Sequence, residues 1–91
     1  MNETEHSKIE QRKYSLRSSV EVCLNYYFNQ LGGNKPSNLY HMVISEAEQA
    51  LLKTVLEHTN GNQSRAADYL GITRGTLRKK VKQYELITTK K

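Results

Sequence analysis

The chain is patterned for helices from Leu16 onward. Leu16, Val20, Cys23, Leu24, Tyr27, Phe28 and Leu31 recur at steps of three and four, which marks one broad apolar helical face. Ser15 can cap the start of this helix, and Gly32-Gly33-Asn34-Lys35-Pro36 closes it with loop punctuation. Asn38 is placed to cap a second, longer helix running to about Thr59. Within it, Leu39, Val43, Ala47, Leu51 and Val55 follow a four-residue step, while Ile44, Leu52 and Leu56 form a neighbouring stripe. Two stripes require two packed sides. One side can meet the first helix and the carboxyl-terminal helices; a second copy of the chain is the economical cover for the other. Cys23, Tyr27 and Phe28 fall on these stripes and are expected in the core.

Asn60-Gly61-Asn62 then breaks the pattern, with Gly61 suited to the left-handed position after a helix and Asn62 to the cap of the next. The spacing predicts a short third helix over Gln63 to Leu70, with Ala66, Ala67 and Leu70 inward. Gly71-Ile72-Thr73 is the turn, and Thr73 caps a fourth helix from Arg74 to about Tyr84. Two short helices joined by three residues containing glycine have the form of a helix-turn-helix. The resulting fold is all-α. Its parts are an arm over residues 1–14, dimerisation helices over 15–59, a helix-turn-helix unit over 60–85 and a basic tail over 86–91.

Composition sharpens this picture in two ways. Ninety-one residues bury only about 60% of the surface that the unfolded chain exposes. The hydrophobic fraction is also low, at 36%. Both favour an oligomer. The charge is divided as well. From Thr59 onward eight basic residues face only Asp68 and Glu85, whereas six basic residues precede Thr59 against seven acidic ones. A basic end on a near-neutral body is an electrostatic footprint for a polyanion. No apolar run approaches the length of a membrane span, and Met1 to Lys13 is too polar for a signal peptide, so a cytoplasmic location is expected. Cys23 is the single cysteine, and His6, His41 and His58 are scattered, so neither metal nor cofactor is expected.

The fourth helix carries the candidate chemistry. Leu77, Val81 and Tyr84 share its inward stripe, which turns Gly75, Thr76, Lys79, Lys82 and Gln83 outward, with Arg78 and Lys80 flanking them. Arg74 lies in the first turn, where it can reach ahead of the helix. Bases there oppose the helix dipole, a cost that an external anion offsets. Arginine can fork onto the O6/N7 edge of guanine, and lysine can reach phosphate. Short polar groups near helix starts, here Asn62, Ser64, Thr73 and Thr76, suit phosphate oxygens.

The run GNQSRAADYLGITRGTLRKKVKQY, Gly61 to Tyr84, resembles the carboxyl end of the bacterial Fis family, the factor for inversion stimulation. The likeness continues upstream through Leu16, Tyr27-Phe28, Gln30-Leu31, Asn38-Leu39-Tyr40, Glu46, Glu48-Gln49 and Leu51-Leu52. It implies an all-helical, intertwined homodimer of four-helix subunits, with a carboxyl-terminal helix-turn-helix in each. It also implies a nucleoid-associated protein that bends double-stranded DNA at degenerate sites and modulates transcription and recombination, with RNA polymerase or recombinases as further partners. Bending follows in that family because the paired recognition helices lie closer together than successive major grooves of straight DNA. Carried over by position, Arg74 is the guanine reader, Thr76 and Lys79 lie beside it, and Asn62, Ser64, Arg78, Lys80 and Lys82 are phosphate contacts. There are departures. Thr73 stands where the best-known members have asparagine, Asn60 replaces a basic residue, and Ala50 stands where proline often kinks the second helix. The arm is shorter than in members whose β-hairpin activates an invertase, so that activity is not expected.

Other readings compete with this one. A Fis-type carboxyl domain of an enhancer-binding transcription activator shares the helix-turn-helix, but such domains follow an ATPase module. Here Met1 opens the chain and no Walker motif precedes the helices, which favours a free-standing protein. A small RNA-binding protein would need exposed stacking aromatics, whereas the tyrosines outside the apolar stripes make no cluster. An enzyme would need a convergent acid, base or nucleophile set, which the isolated histidines do not supply.

Overall fold

The computed structural model describes residues 15–86 as four helices and their connections. The arm expected over residues 1–14 and the tail from residue 87 onward lie outside the described residues. Helix α1 spans Leu16–Leu31, α2 Leu39–His58, α3 Gln63–Leu70 and α4 Arg74–Gln83. The pattern-based boundaries hold to within a residue or so. The described residues fall into two compact units that divide between Ser37 and Asn38. Helix α2 thus belongs with the helix-turn-helix, although its sequence stripes pair it by role with α1.

Helix α1 starts where expected. Ser15 is extended, and its Oγ accepts a hydrogen bond from the Ser18 N–H at 3.1 Å, which satisfies one of the unpaired donors of the first turn. The helix ends at Gly32, whose left-handed φ of 60° stops propagation. None of its residues is buried within the chain. The expectation that Cys23, Tyr27 and Phe28 are core residues therefore fails for a single copy. Cys23 is exposed, Phe28 retains 46% of its surface, and Tyr27 is half-buried with its ring edge-on to Phe28 at 6.1 Å. Periodicity identifies which face is apolar; it does not say what covers that face.

The second unit has a small, dry centre. Leu52 and Leu56 of α2, Ala66 and Ala67 of α3, and Leu77 of α4 are buried, and Val55, Leu70, Ile72, Val81, Tyr84 and Leu86 pack against them. The two alanines let α3 lie close to its neighbours. The stripes of α2 divide along its length rather than by side, because α3 and α4 reach only its carboxyl half. Ile44 and Leu51 remain exposed. At the other end, Asn38 occupies the cap position but is left-handed, with φ 56° and no side-chain cap bond. A side-chain cap needs an extended backbone to aim its oxygen at the first turn, so the expected Asn38 cap does not form.

The three helices of this unit end alike. Asn60, Gly71 and Glu85 are left-handed, and the N–H of each following residue reaches back five positions: Gly61 to the Leu56 carbonyl at 2.9 Å, Ile72 to Ala67 at 3.1 Å and Leu86 to Val81 at 2.9 Å. This closure satisfies carbonyls that the helix end leaves unpaired. It also turns Ile72 and Leu86 back onto the core. Thr59, just before the first closure, is buried, and its hydroxyl donates to the Leu56 carbonyl at 3.3 Å.

Candidate nucleic-acid interface

Helices α3 and α4 and the turn between them set out the candidate residues. Asn62 is extended and its Oδ1 accepts from the Arg65 N–H at 3.0 Å, so its amide nitrogen is left to donate outward. Thr73 does the same for α4. Its Oγ1 accepts from the Thr76 N–H at 3.1 Å and donates to Thr76 Oγ1 at 3.0 Å. The Thr73 hydroxyl is thereby committed to the cap, while the Thr76 hydroxyl keeps its own proton for an outside acceptor. The aliphatic stripe of Leu77, Val81 and Tyr84 faces the core as predicted.

The opposite face is exposed. Arg74, Gly75, Thr76, Arg78, Lys79, Lys82 and Gln83 all lie open, as do Asn62, Ser64 and Arg65 on the first of the two short helices and its cap. Among the described residues, none of Arg74, Arg78, Lys79 and Lys82 has an acidic partner. No acidic residue lies in the first turn of α4. The structure thus brings together on one exposed surface every candidate named from the sequence except Lys80. That residue is half-buried, with its ammonium 2.9 Å from Glu48 Oε2 on α2. Glu48 was not foreseen as part of the site. Its charge stood out in no motif, and only the packing of α2 on α4 brings it there.

The other oxygen of Glu48 is also engaged, accepting from the Tyr84 hydroxyl at 2.6 Å. The Tyr84 hydrogen bond first, and the Lys80 hydrogen bond second, hold the Glu48 carboxyl below the usual carboxylate range. The same bond to Glu48 pushes the Tyr84 phenol up. Gly75 is informative for a different reason. It has ordinary helical geometry, and a Cβ built there would meet only Thr73 Oγ1, at 4.0 Å. Nothing inside the chain requires a glycine, although a helical glycine is less stable than alanine by about 1 kcal/mol. A bare backbone on an exposed basic face suits close approach by an external surface.

Among the described residues, no cluster of histidine, cysteine or carboxylate side chains could hold a metal ion, and no helix is long and apolar enough to cross a membrane. Comparison with known proteins adds the family. The sequence profile of the bacterial regulatory proteins of the Fis family matches residues 43–84, which lie wholly in the second unit. The chain is 54% identical over 69 residues to the DNA-binding protein Fis of Vibrio atlanticus, covering 76% of this chain and 70% of that protein. It is 51% identical over 69 residues to the DNA-binding protein Fis of Aliivibrio fischeri, with the same coverage. With the DNA-binding protein Fis of Pectobacterium carotovorum it shares 49% identity over 81 residues, covering 89% of this chain and 83% of that one. The likeness takes in both the helix-turn-helix and the helices before it, and the chain belongs to the Fis family of bacterial regulatory proteins.

Proposed function

We propose that two copies of this chain bind double-stranded DNA, bend it, and so regulate transcription and organise the chromosome in the bacterial nucleoid. The observation that carries this reading is the exposed outer face of α4, where Arg74, Arg78, Lys79 and Lys82 stand without acidic partners behind a capped turn. A helix of this kind enters the major groove with its first residues at base edges. Arg74 forks onto guanine, and Thr76 and Lys79 lie beside it. Asn62, Ser64, Arg78 and Lys82 take phosphate oxygens, which fix register without reading sequence. Thr73, committed to its cap, acts by holding the first turn in place. Lys80 is set apart by its ion pair with Glu48.

Pairing is supported by apolar surface left uncovered in one copy: Leu16, Val22, Tyr26 and Phe28 on α1, and Ile44 and Leu51 on α2. With two recognition helices fixed on one body, DNA must adapt to their spacing. Selectivity then comes partly from deformability. The reading contains no catalytic step and no cofactor.

The experiment is a binding titration with duplexes selected from a random pool, followed by mobility of circularly permuted fragments. Arg74→Ala is expected to weaken the selected site by roughly 1–3 kcal/mol and to flatten sequence preference. Equal losses on every duplex would remove Arg74 as a reader. Fragment mobility that does not depend on site position would remove bending.

A further inference from the structure

Glu48 is the residue that the DNA-binding reading leaves unexplained. It lies on α2 one turn before Leu52, and both of its carboxylate oxygens are used by α4. Tyr84 donates to Oε1 at 2.6 Å, and Lys80 pairs with Oε2 at 2.9 Å. Lys80 and Tyr84 are one helical turn apart, so a single carboxylate grips α4 at two points along one edge. The aliphatic contacts beneath, Leu52 and Leu56 against Leu77, are non-directional: they set how close the helices lie but only weakly how α4 is rotated. Hydrogen bonds to a charged group have direction, and they are stronger than neutral ones. The tie is partly shielded, with the Lys80 and Glu48 side chains 31% and 27% exposed. The surface pair Lys53–Glu57 is 68% and 63% exposed by contrast.

We infer that Glu48 is a positioning residue for the DNA-facing helix: it fixes the rotation of α4 through Tyr84 and withholds the Lys80 ammonium from phosphate. The inference rests on the proposed DNA binding. Its first consequence is that Lys80, although it sits among the basic residues of α4, contributes little to the salt dependence of binding. Its second is a gain in discrimination. Holding back a cation that would grip any duplex lowers non-specific attraction, while a fixed α4 keeps Arg74 aligned with its base.

The test compares wild type, Lys80→Gln, Lys82→Gln, Glu48→Gln and the double variant Glu48→Gln/Lys80→Gln. Each is titrated at several salt concentrations with a selected and an unrelated duplex. Lys82→Gln is expected to reduce the salt slope by about 0.9, the value for one lost phosphate contact. Lys80→Gln alone is expected to leave the slope unchanged. Glutamine at position 48 can still accept from Tyr84 but no longer pairs with Lys80. Glu48→Gln is therefore expected to steepen the slope on unrelated duplex by about 0.9, and the double variant to return it to wild type. Tyr84→Phe, which leaves the ion pair in place, is expected to keep the wild-type slope while narrowing the ratio of selected to unrelated affinity. A slope that falls by a full contact in Lys80→Gln would overturn the inference, whether or not the Glu48 variant folds. So would a Glu48→Gln protein that keeps its helicity and shows the wild-type slope. Wild-type protein whose DNA binding ignores salt would instead bring down the DNA reading itself.

Discussion

At the scale of single residues, the site separates side chains that build the fold from those that face outward. Thr73 and Asn62 spend their acceptors on the N–H groups of Thr76 and Arg65, while Arg74, Lys79 and Lys82 make no ion pair among the described residues. Gly75 separates the two roles most sharply, since it has room for a methyl group and no internal reason to lack one. Gly75→Ala is expected to raise stability by about 0.5–1 kcal/mol, the ordinary gain on replacing a helical glycine. It should also weaken duplex binding. Thermal denaturation and a binding titration on the same preparation check both halves. A variant that gains stability and binds DNA as before would show that the bare backbone serves no partner.

At the scale of elements, the second unit owes its shape to three equivalent helix endings and one lateral tie. Two of the endings place a residue with a side chain in the left-handed region, Asn60 with φ 54° and Glu85 with φ 53°. Asparagine tolerates that region, whereas glutamate has no such local compensation. Glu85→Gly is expected to stabilise the protein by about 0.5–1 kcal/mol, the relief of strain being partly offset by the freer unfolded chain. In a domain of this size that is a rise in Tm of roughly 4–8 °C per kcal/mol, readable by calorimetry. An unchanged or lowered Tm would mean that the Glu85 side chain makes a compensating contact.

The tie between α2 and α4 has its own signature in pH. The Glu48 carboxyl is held below its unfolded value, so its contribution is complete at neutral pH and is lost as pH falls through the folded value, beneath the usual carboxylate range. The Tyr84 phenol is raised, so its contribution is complete below the usual tyrosine range near pH 10 and is lost as pH climbs through the higher folded value. Tyr84→Phe is expected to remove that share of the alkaline loss of stability. Denaturant midpoints measured across pH would reveal it, and an identical alkaline limb in the variant would count against the tie.

At the scale of the molecule, one copy is an incomplete object. No residue of α1 is buried, and the aromatic pair Tyr27 and Phe28 packs against itself with Phe28 still 46% exposed. Apolar surface of this extent on a small protein marks an interaction site. Sedimentation is expected to give twice the chain mass, and the unfolding midpoint is expected to rise with protein concentration because association and folding are linked. A folded species of single mass with a concentration-independent midpoint would leave the proposed pairing without support. Replacing Phe28 with glutamate places a charge within that surface and is expected to shift sedimentation toward the single mass.

The sequence by itself determined the helices, their caps at Ser15, Asn62 and Thr73, the glycine turn at Gly71 and the outward basic face of α4. These are local matters: a 3.6-residue period, a side chain within reach of its own backbone, and a residue free to adopt positive φ. It could not determine which apolar stripe finds cover within one copy, because a stripe records a face and not a neighbour. Nor could it join Glu48 to Lys80 and Tyr84, which lie 36 residues apart at the tyrosine and share no motif. Only the docking of α4 on α2 brings that carboxylate to the basic helix. The same docking decides that Lys80, one of four basic residues in the run from Arg78 to Lys82, is held by the protein's own acid.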